Sequence, residues 1–170
     1  MQSQQASKTN ALPHSVDSIN ILIVAAPYYA DINKFLLKGA CEEFNKAEIT
    51  FDYYEVPGAL EIPLAIKQAS HLQIYDGYLA LGCVIRGSTY HFEIVAQESA
   101  RGIMTLGTAG LCIGNGVLTV ENMNQALVRA DPNQKNKGGE AAQALLSLVY
   151  LAKGIHSPQP FNLPRKAHSD

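Results

Sequence analysis

The chain has 170 residues, 47% of them hydrophobic, and its 13 Lys and Arg against 15 Asp and Glu leave a formal charge of −2. That length suits one ordinary domain, able to bury roughly two-thirds of its extended surface with no disulfide or metal to staple it. The near-balanced charge removes the field argument for nucleic acid or an anionic membrane as partners, so any anion has to be caught locally. Cys41, Cys83 and Cys112 are an odd number with no CxxC spacing, which reads as free, apolar-packed thiols in a reducing compartment. The start of the chain has no secretion pattern, and no apolar run approaches the length of a membrane helix, so the cytoplasm is the default location.

Residues 1–18, rich in Gln, Ser and Asn, read as a flexible leader ahead of a domain over 19–154, with 155–170 as a Pro-containing tail. Asn20 to Ala25 is a short run apolar on both faces, the mark of a parallel strand covered on each side. From Asp31, taken as a cap, Ile32, Phe35, Leu36, Gly39, Ala40 and Phe44 share one helical stripe. Ile49 to Val56 reads as a strand that Pro57-Gly58 ends, and Glu61-Ile62-Pro63 opens a helix running to about His71.

Gly77 to Ile85 is the third strand, and His91 to Met104 the next helix, with Phe92, Val95, Ala96, Ser99, Ile103 and Met104 on one face. Leu111 to Leu118 is a fourth strand, after which Thr119 is assigned as cap to a helix over 120–130 with Glu121 in its first turn. Asp131 to Gly138 is a polar connection. A last helix from about Gly139 to Lys153 is stopped by Gly154, which suits the left-handed position just past a helix end.

The order β-α-β-α-β-α-β-α-α predicts an α/β fold, a three-layer α/β/α sandwich on a four-stranded parallel sheet, flavodoxin-like. In such sheets ligands collect beyond the carboxyl ends of the strands. That directs attention to Ala26–Ala30, Pro57–Glu61, Arg86–Tyr90 and the region of Asn115–Thr119.

Between strand and helix, the amides and hydroxyls of Gly87, Ser88 and Thr89 can converge on a phosphate or carboxylate, although an ordinary Ser/Thr cap has the same composition. No Walker or dinucleotide fingerprint accompanies them. His91 opens the helix, where positive partial charge disfavours imidazolium, so its ring can accept and return a proton; a plain exposed histidine fits equally. Glu61 could bind polyol hydroxyls or merely support its helix terminus. Tyr28 can lay its ring on a flat heterocycle or sit in the rim. Arg129 and Lys137 would clamp a phosphate if they reached a pocket, their own chain's or a neighbour's. No His, Cys, Asp or Glu grouping has metal-ligand spacing, so no metal is expected.

Together, Tyr28, Pro57-Gly58-Ala59-Leu60-Glu61-Ile62-Pro63, Leu81-Gly82-Cys83-Val84-Ile85-Arg86-Gly87-Ser88-Thr89-Tyr90-His91-Phe92, Gly116 to Thr119 with Gln125-Ala126, Arg129-Ala130, and Asn136-Lys137-Gly138 with Glu140-Ala141-Ala142 form an ordered set. Over roughly residues 19 to 153 this set resembles the 6,7-dimethyl-8-ribityllumazine synthase family of riboflavin biosynthesis. The resemblance implies condensation of 5-amino-6-(D-ribitylamino)uracil with 3,4-dihydroxy-2-butanone 4-phosphate, releasing phosphate and water, with no cofactor. It implies Tyr28 stacking on the pyrimidine, Ala59, Leu60 and Glu61 on the ribityl chain, and the backbone of Cys83, Val84 and Ile85 on the polar edge of the ring.

It further implies Gly87, Ser88 and Thr89 receiving the phosphate, His91 as general acid and base, and Arg129 supplied to the phosphate from an adjacent subunit. Arg86 and Lys137 take supporting roles. The implied assembly is a homo-oligomer built of pentamers with sites between subunits, with riboflavin synthase as a further partner that the family admits. Two positions depart from the family pattern: Asn115 stands where many relatives place an aromatic residue against the pyrimidine, and Asn133 where some carry lysine. The Asn115 position keeps open a lumazine- or riboflavin-binding protein with little turnover. A flavodoxin-like electron carrier is a third reading, and the acid/base residue at position 91 fits it less well.

Overall fold

The sheet is built from runs that are apolar on both faces. In the computed structural model, which describes residues 19–155, every residue of β1 (Asn20–Ala25) after Asn20 is buried. A strand so placed needs cover on both sides. Ile21, Ile23 and Ala25 face one layer, while Leu22 and Val24 face the other. The remaining elements are α1 (Ala30–Lys46), β2 (Thr50–Glu55), α2 (Glu61–Ser70), β3 (Gly77–Ile85), α3 (His91–Thr108), β4 (Ile113–Val120), α4 (Met123–Ala130) and α5 (Lys137–Ala152).

All four strands pair in parallel in the order β2-β1-β3-β4, which is the flavodoxin-like order for its first four strands. The three-layer α/β/α sandwich expected from the sequence is therefore the observed architecture. One face of the sheet carries α1, α4 and α5 over a core that includes Phe44, Leu36, Leu81 and Leu145. The other carries α2 and α3 over a smaller core with Ile62, Ile66 and Ile103. Each such fully buried side chain contributes about 1.5–3 kcal/mol.

Close backbone approach sets α5 in place. A Cβ on Gly138 would lie 2.0 Å from the Leu36 carbonyl oxygen of α1, and one on Gly114 would lie 2.4 Å from the Ala141 carbonyl oxygen of α5. At its far end Gly154 adopts φ 69°, with its amide donating to the Leu151 carbonyl at 3.1 Å and the Ile155 amide to the Tyr150 carbonyl at 2.9 Å. That is the two-bond stop of a Schellman motif, as the position of Gly154 predicts. Among the described residues no helix is long and apolar enough to cross a membrane. The leader and all of the tail but Ile155 lie outside the described residues.

Several local expectations are corrected. Asp31 does not cap α1: Tyr29 holds the cap position with no side-chain bond, and Asp31 lies in the first turn beside Lys34 at 3.4 Å. Met104 is 62% exposed rather than on the buried face of α3, and the helix continues to Thr108. β4 starts at Ile113 and keeps Thr119 and Val120 extended, because both pair with β3 through Val84↔Thr119 and Ile85↔Val120. The cap of α4 is Asn122, whose side chain accepts from the Gln125 amide at 3.0 Å, and Glu121 precedes the helix. α5 begins at Lys137, so Lys137 and Gly138 are helical; Asn136, at φ 43°, caps it by accepting from the Gly139 amide at 3.2 Å.

Candidate active site

Three connections leave the carboxyl ends of β1, β2 and β3 and enclose one cavity of about 450 Å³, within the usual range for small-molecule sites. It sits over β1 and β3, where the strand order reverses direction, which is the switch point at which ligands bind in open parallel sheets.

The geometry of β3 explains the polar floor. β1 stays paired with β3 only as far as Ala25↔Leu81, where the Ala26 amide also donates to the Leu81 carbonyl at 2.9 Å. β3 runs on to Ile85 paired with β4 alone. On the side where β1 has ended, the peptide groups of Cys83, Val84 and Ile85 border the cavity and can hydrogen-bond a planar heterocycle. Burial pushes the Cys83 thiol up to about 11, so at neutral pH it is a small apolar lining group and a poor nucleophile.

Tyr28 and Tyr29 follow β1. Tyr28 is 75% exposed at the cavity wall, and its ring meets Tyr29 edge-on, with centroids 5.0 Å apart and planes at 73°. One face of Tyr28 thus stays open for stacking. Tyr29 is half-buried; burial first, then the neighbouring Tyr28 and Cys83, push its phenol above the ordinary range. From the β2 connection, Ala59 and Leu60 line the cavity, and Glu61 opens α2 with its amide on the Gly58 carbonyl at 3.2 Å. The Glu61 side chain forms no hydrogen bond among the described residues, which leaves its carboxylate oxygens available as acceptors.

Gly87, Thr89 and His91 border the same cavity from the β3–α3 connection. Arg86 through His91 are exposed in unbroken succession, and Gly87 has nothing within 4 Å of where a Cβ would be. The first-turn amides of α3 receive no side-chain cap from Tyr90, and a helix start of this kind favours an anion. Ser88 belongs to the same loop without lining the cavity. Arg86 turns away: its Nε donates to Glu121 Oε2 at 2.6 Å, Nη1 pairs with Glu93 Oε1, and the guanidinium lies 4.2 Å over the Phe92 ring.

The other sequence candidates lie elsewhere in the chain. Arg129, half-buried near the end of α4, donates to the Gln125 carbonyl at 3.2 Å; Lys137 pairs with Glu140; neither lines the cavity. Asn115 pairs in register with Ala80, five residues before the end of the β3–β4 ladder, and does not line the cavity. Its Oδ1 accepts from the Val117 amide at 3.0 Å. Asn133 is bound to the Asp131 carboxylate through its amide at 2.9 Å. Among the described residues no Lys or Arg lines the cavity. Among the described residues no three His, Cys, Asp or Glu are grouped to hold a metal.

Sequence reasoning reached Tyr29 and Pro57 only as members of the loops Ala26–Ala30 and Pro57–Glu61 and gave no site role to Phe92 or Val95, yet all four line the cavity. Val95 lies four positions after His91 and three after Phe92, helical spacings that make it a neighbour of both, which is the signal that could have found it.

A parallel three-layer α/β domain with a cavity at the switch point, a polar floor, a free carboxylate and a histidine at a helix start is an enzyme of small-molecule chemistry. The sequence model described as 6,7-dimethyl-8-ribityllumazine synthase matches residues 18–153. The chain is 58% identical to the 6,7-dimethyl-8-ribityllumazine synthase of Zymomonas mobilis over 79% of its length and 96% of that protein. Against the proteins of the same name from Novosphingobium aromaticivorans and Bartonella tribocorum, identity is 59% and 56%, over 76% and 79% of this chain and 94% and 90% of theirs. The chain belongs to the 6,7-dimethyl-8-ribityllumazine synthase family.

Proposed function

We propose that this chain condenses 5-amino-6-(D-ribitylamino)uracil with 3,4-dihydroxy-2-butanone 4-phosphate into 6,7-dimethyl-8-ribityllumazine, releasing inorganic phosphate and two waters. The observation that carries the reading is the convergence of Glu61, the freed β3 backbone, the Gly87–Thr89 loop and His91 on one cavity. Tyr28 offers the stacking face, Ala59 to Glu61 hold the ribityl chain, and Cys83 to Ile85 hold the ring edge. Gly87, Ser88 and Thr89 receive the phosphate.

In this reading the 5-amino group attacks the butanone carbonyl to give a carbinolamine, which loses water to an imine, with His91 relaying the protons. Phosphate then leaves by β-elimination, its charge held by the loop amides and by arginine. Ring closure and a second dehydration complete the product. Amine and ketone are intrinsically reactive, so holding both in one cavity supplies more of the rate than proton transfer does.

A phosphate dianion needs a cation, and among the described residues no Lys or Arg lines the cavity. We therefore place Arg129 of an adjacent subunit at the phosphate, with Lys137 supporting it, in a homo-oligomer of pentamers. α3, with only Ser99 and Ile103 buried, leaves apolar surface for such a neighbour. The assignment puts the chemistry in residues 19–154 and the protein in the cytoplasm, and riboflavin synthase is a partner to seek by co-purification.

The test is absorbance of lumazine formed from the two substrates, with phosphate release measured alongside. Ligand affinity without phosphate release would instead favour a binding protein. Mixing His91→Ala with Arg129→Ala chains restores part of the turnover if two subunits build each site. No recovery after demonstrated subunit exchange would reject the shared site.

A further inference from the structure

The loop that carries the proposed phosphate and proton chemistry is almost unanchored. Gly87 to Tyr90 are exposed, and no side chain among Ser88, Thr89 and Tyr90 forms a hydrogen bond among the described residues. What fixes the loop is the residue on its strand side. The Arg86 amide donates to the Val120 carbonyl at 2.9 Å, the last rung tying β3 to β4. Its guanidinium then reaches three further groups: Glu121 just past β4, and Phe92 and Glu93 in the first turn of α3. One planar cation thus joins the ends of two strands to the helical turn that begins with His91.

Glu93 depends on this contact. One carboxylate oxygen pairs with Arg86 and the other, Oε2, is buried without a partner among the described residues. The Arg86 pairing, helped by the residue's own backbone amide, holds its carboxyl below the usual range. Glu121 is further fixed by its amide, which donates to Gln125 Oε1 at 3.1 Å.

We propose that Glu93 and Glu121, acting through Arg86, are positioning residues that set the first turn of α3 and hence His91 over the cavity. The inference rests on the reading of His91 as the proton relay. Two carboxylates against one guanidinium leave this cluster with net negative charge, so it does not attract the phosphate; its contribution is geometric. The exposed Arg86–Glu121 pair adds little to stability, and the thermal midpoint separates an effect of the half-buried Arg86–Glu93 pair on folding from one on turnover.

The experiment measures steady-state kinetics, thermal midpoint and amide hydrogen exchange for Glu93→Gln, Glu121→Gln and Arg86→Lys. A small displacement of a reacting group costs up to ~100-fold. For Glu93→Gln, kcat is expected to fall about tenfold with KM for the phosphorylated ketone unchanged or lower. Arg86→Lys, which keeps the charge and loses the fork, falls in between. In the His91→Ala background the Glu93→Gln effect collapses to less than about twofold, as residues acting through one group are non-additive.

Amide exchange over 87–94 rises in Glu93→Gln while the rest of the domain is unchanged. A wild-type kcat in both glutamine variants, or an equal loss with and without His91, overturns the proposal. If the wild-type chain makes no lumazine, the reaction assigned above fails instead, and unchanged exchange over 87–94 still decides against the clamp. Should Glu93→Gln fail to fold, Glu121→Gln and Arg86→Lys carry the same tests.

Discussion

Helices α3 and α5 have nearly equal lengths, 18 and 16 residues, yet α5 buries seven of its residues within the chain and α3 only two. α5 is pressed onto α1 and β4 until only glycine fits at the contacts. α3 instead leaves Ile94 45% and Met104 62% exposed, beside Leu64 of α2 at 64%. The helix that opens with His91 is therefore the one whose packing the single chain does not complete. The larger core lies on the face with α1, α4 and α5, and the face with α2 and α3 leaves Leu64, Ile94 and Met104 exposed.

The largest effect that tests this contrast is on α5. Leu145 is fully buried, and Leu145→Ala is expected to cost about 3 kcal/mol in chemical denaturation, independently of protein concentration. A loss below about 1 kcal/mol would deny α5 its structural role. Next comes His91→Ala, expected to lower kcat roughly 10- to 100-fold, or about 1.4–2.7 kcal/mol of barrier, with the fold intact. A drop beyond about 10⁴-fold with affinity and assembly preserved would overturn the proximity-dominated account.

On the outer face of α3, Ile94→Asp should change the stability of the chain itself by no more than about 0.5 kcal/mol. Its effect should appear in sedimentation, as a smaller particle that has lost turnover. An unchanged particle would remove this face from the assembly. The smallest effect concerns Cys83, whose folded-state value of about 11 lies above the ordinary 9.0. Its contribution is complete below about pH 9 and is lost as pH rises through about 11, because the unfolded thiol gives up its proton first. Melting midpoints at pH 8 and 10 should therefore differ less in Cys83→Ala than in the wild type.

Much of this was legible in the residue order. The third strand was read to its exact ends because Gly77 and Arg86 bracket a long apolar run, and three of the four loops picked from the carboxyl-end rule do enclose the cavity. The fourth, Asn115–Thr119, lies within β4 and is not a loop, for a nonlocal reason. Thr119 has the chemistry of a cap, but its pairing with Val84 holds it in β4, which a local reading does not see. Glu93 went unremarked and Glu121 was read only as a first-turn acid of the next helix, because their meaning depends on Arg86 reaching across two connections. Tyr29 was overshadowed by Tyr28, since chain order does not say which of two adjacent rings braces the other.

Among the described residues the cavity wall holds one carboxylate, Glu61, and one imidazole, His91, and no Lys or Arg. If, as proposed, an adjacent subunit supplies Arg129, a chain that has just folded, alone, presents a carboxylate, a histidine and loop amides to a phosphorylated ketone and, among the described residues, no side-chain cation. It would leave that reactive sugar fragment alone until neighbours arrive. Dilution would then switch the chemistry off, and rate per chain would climb with concentration until every subunit has its neighbour.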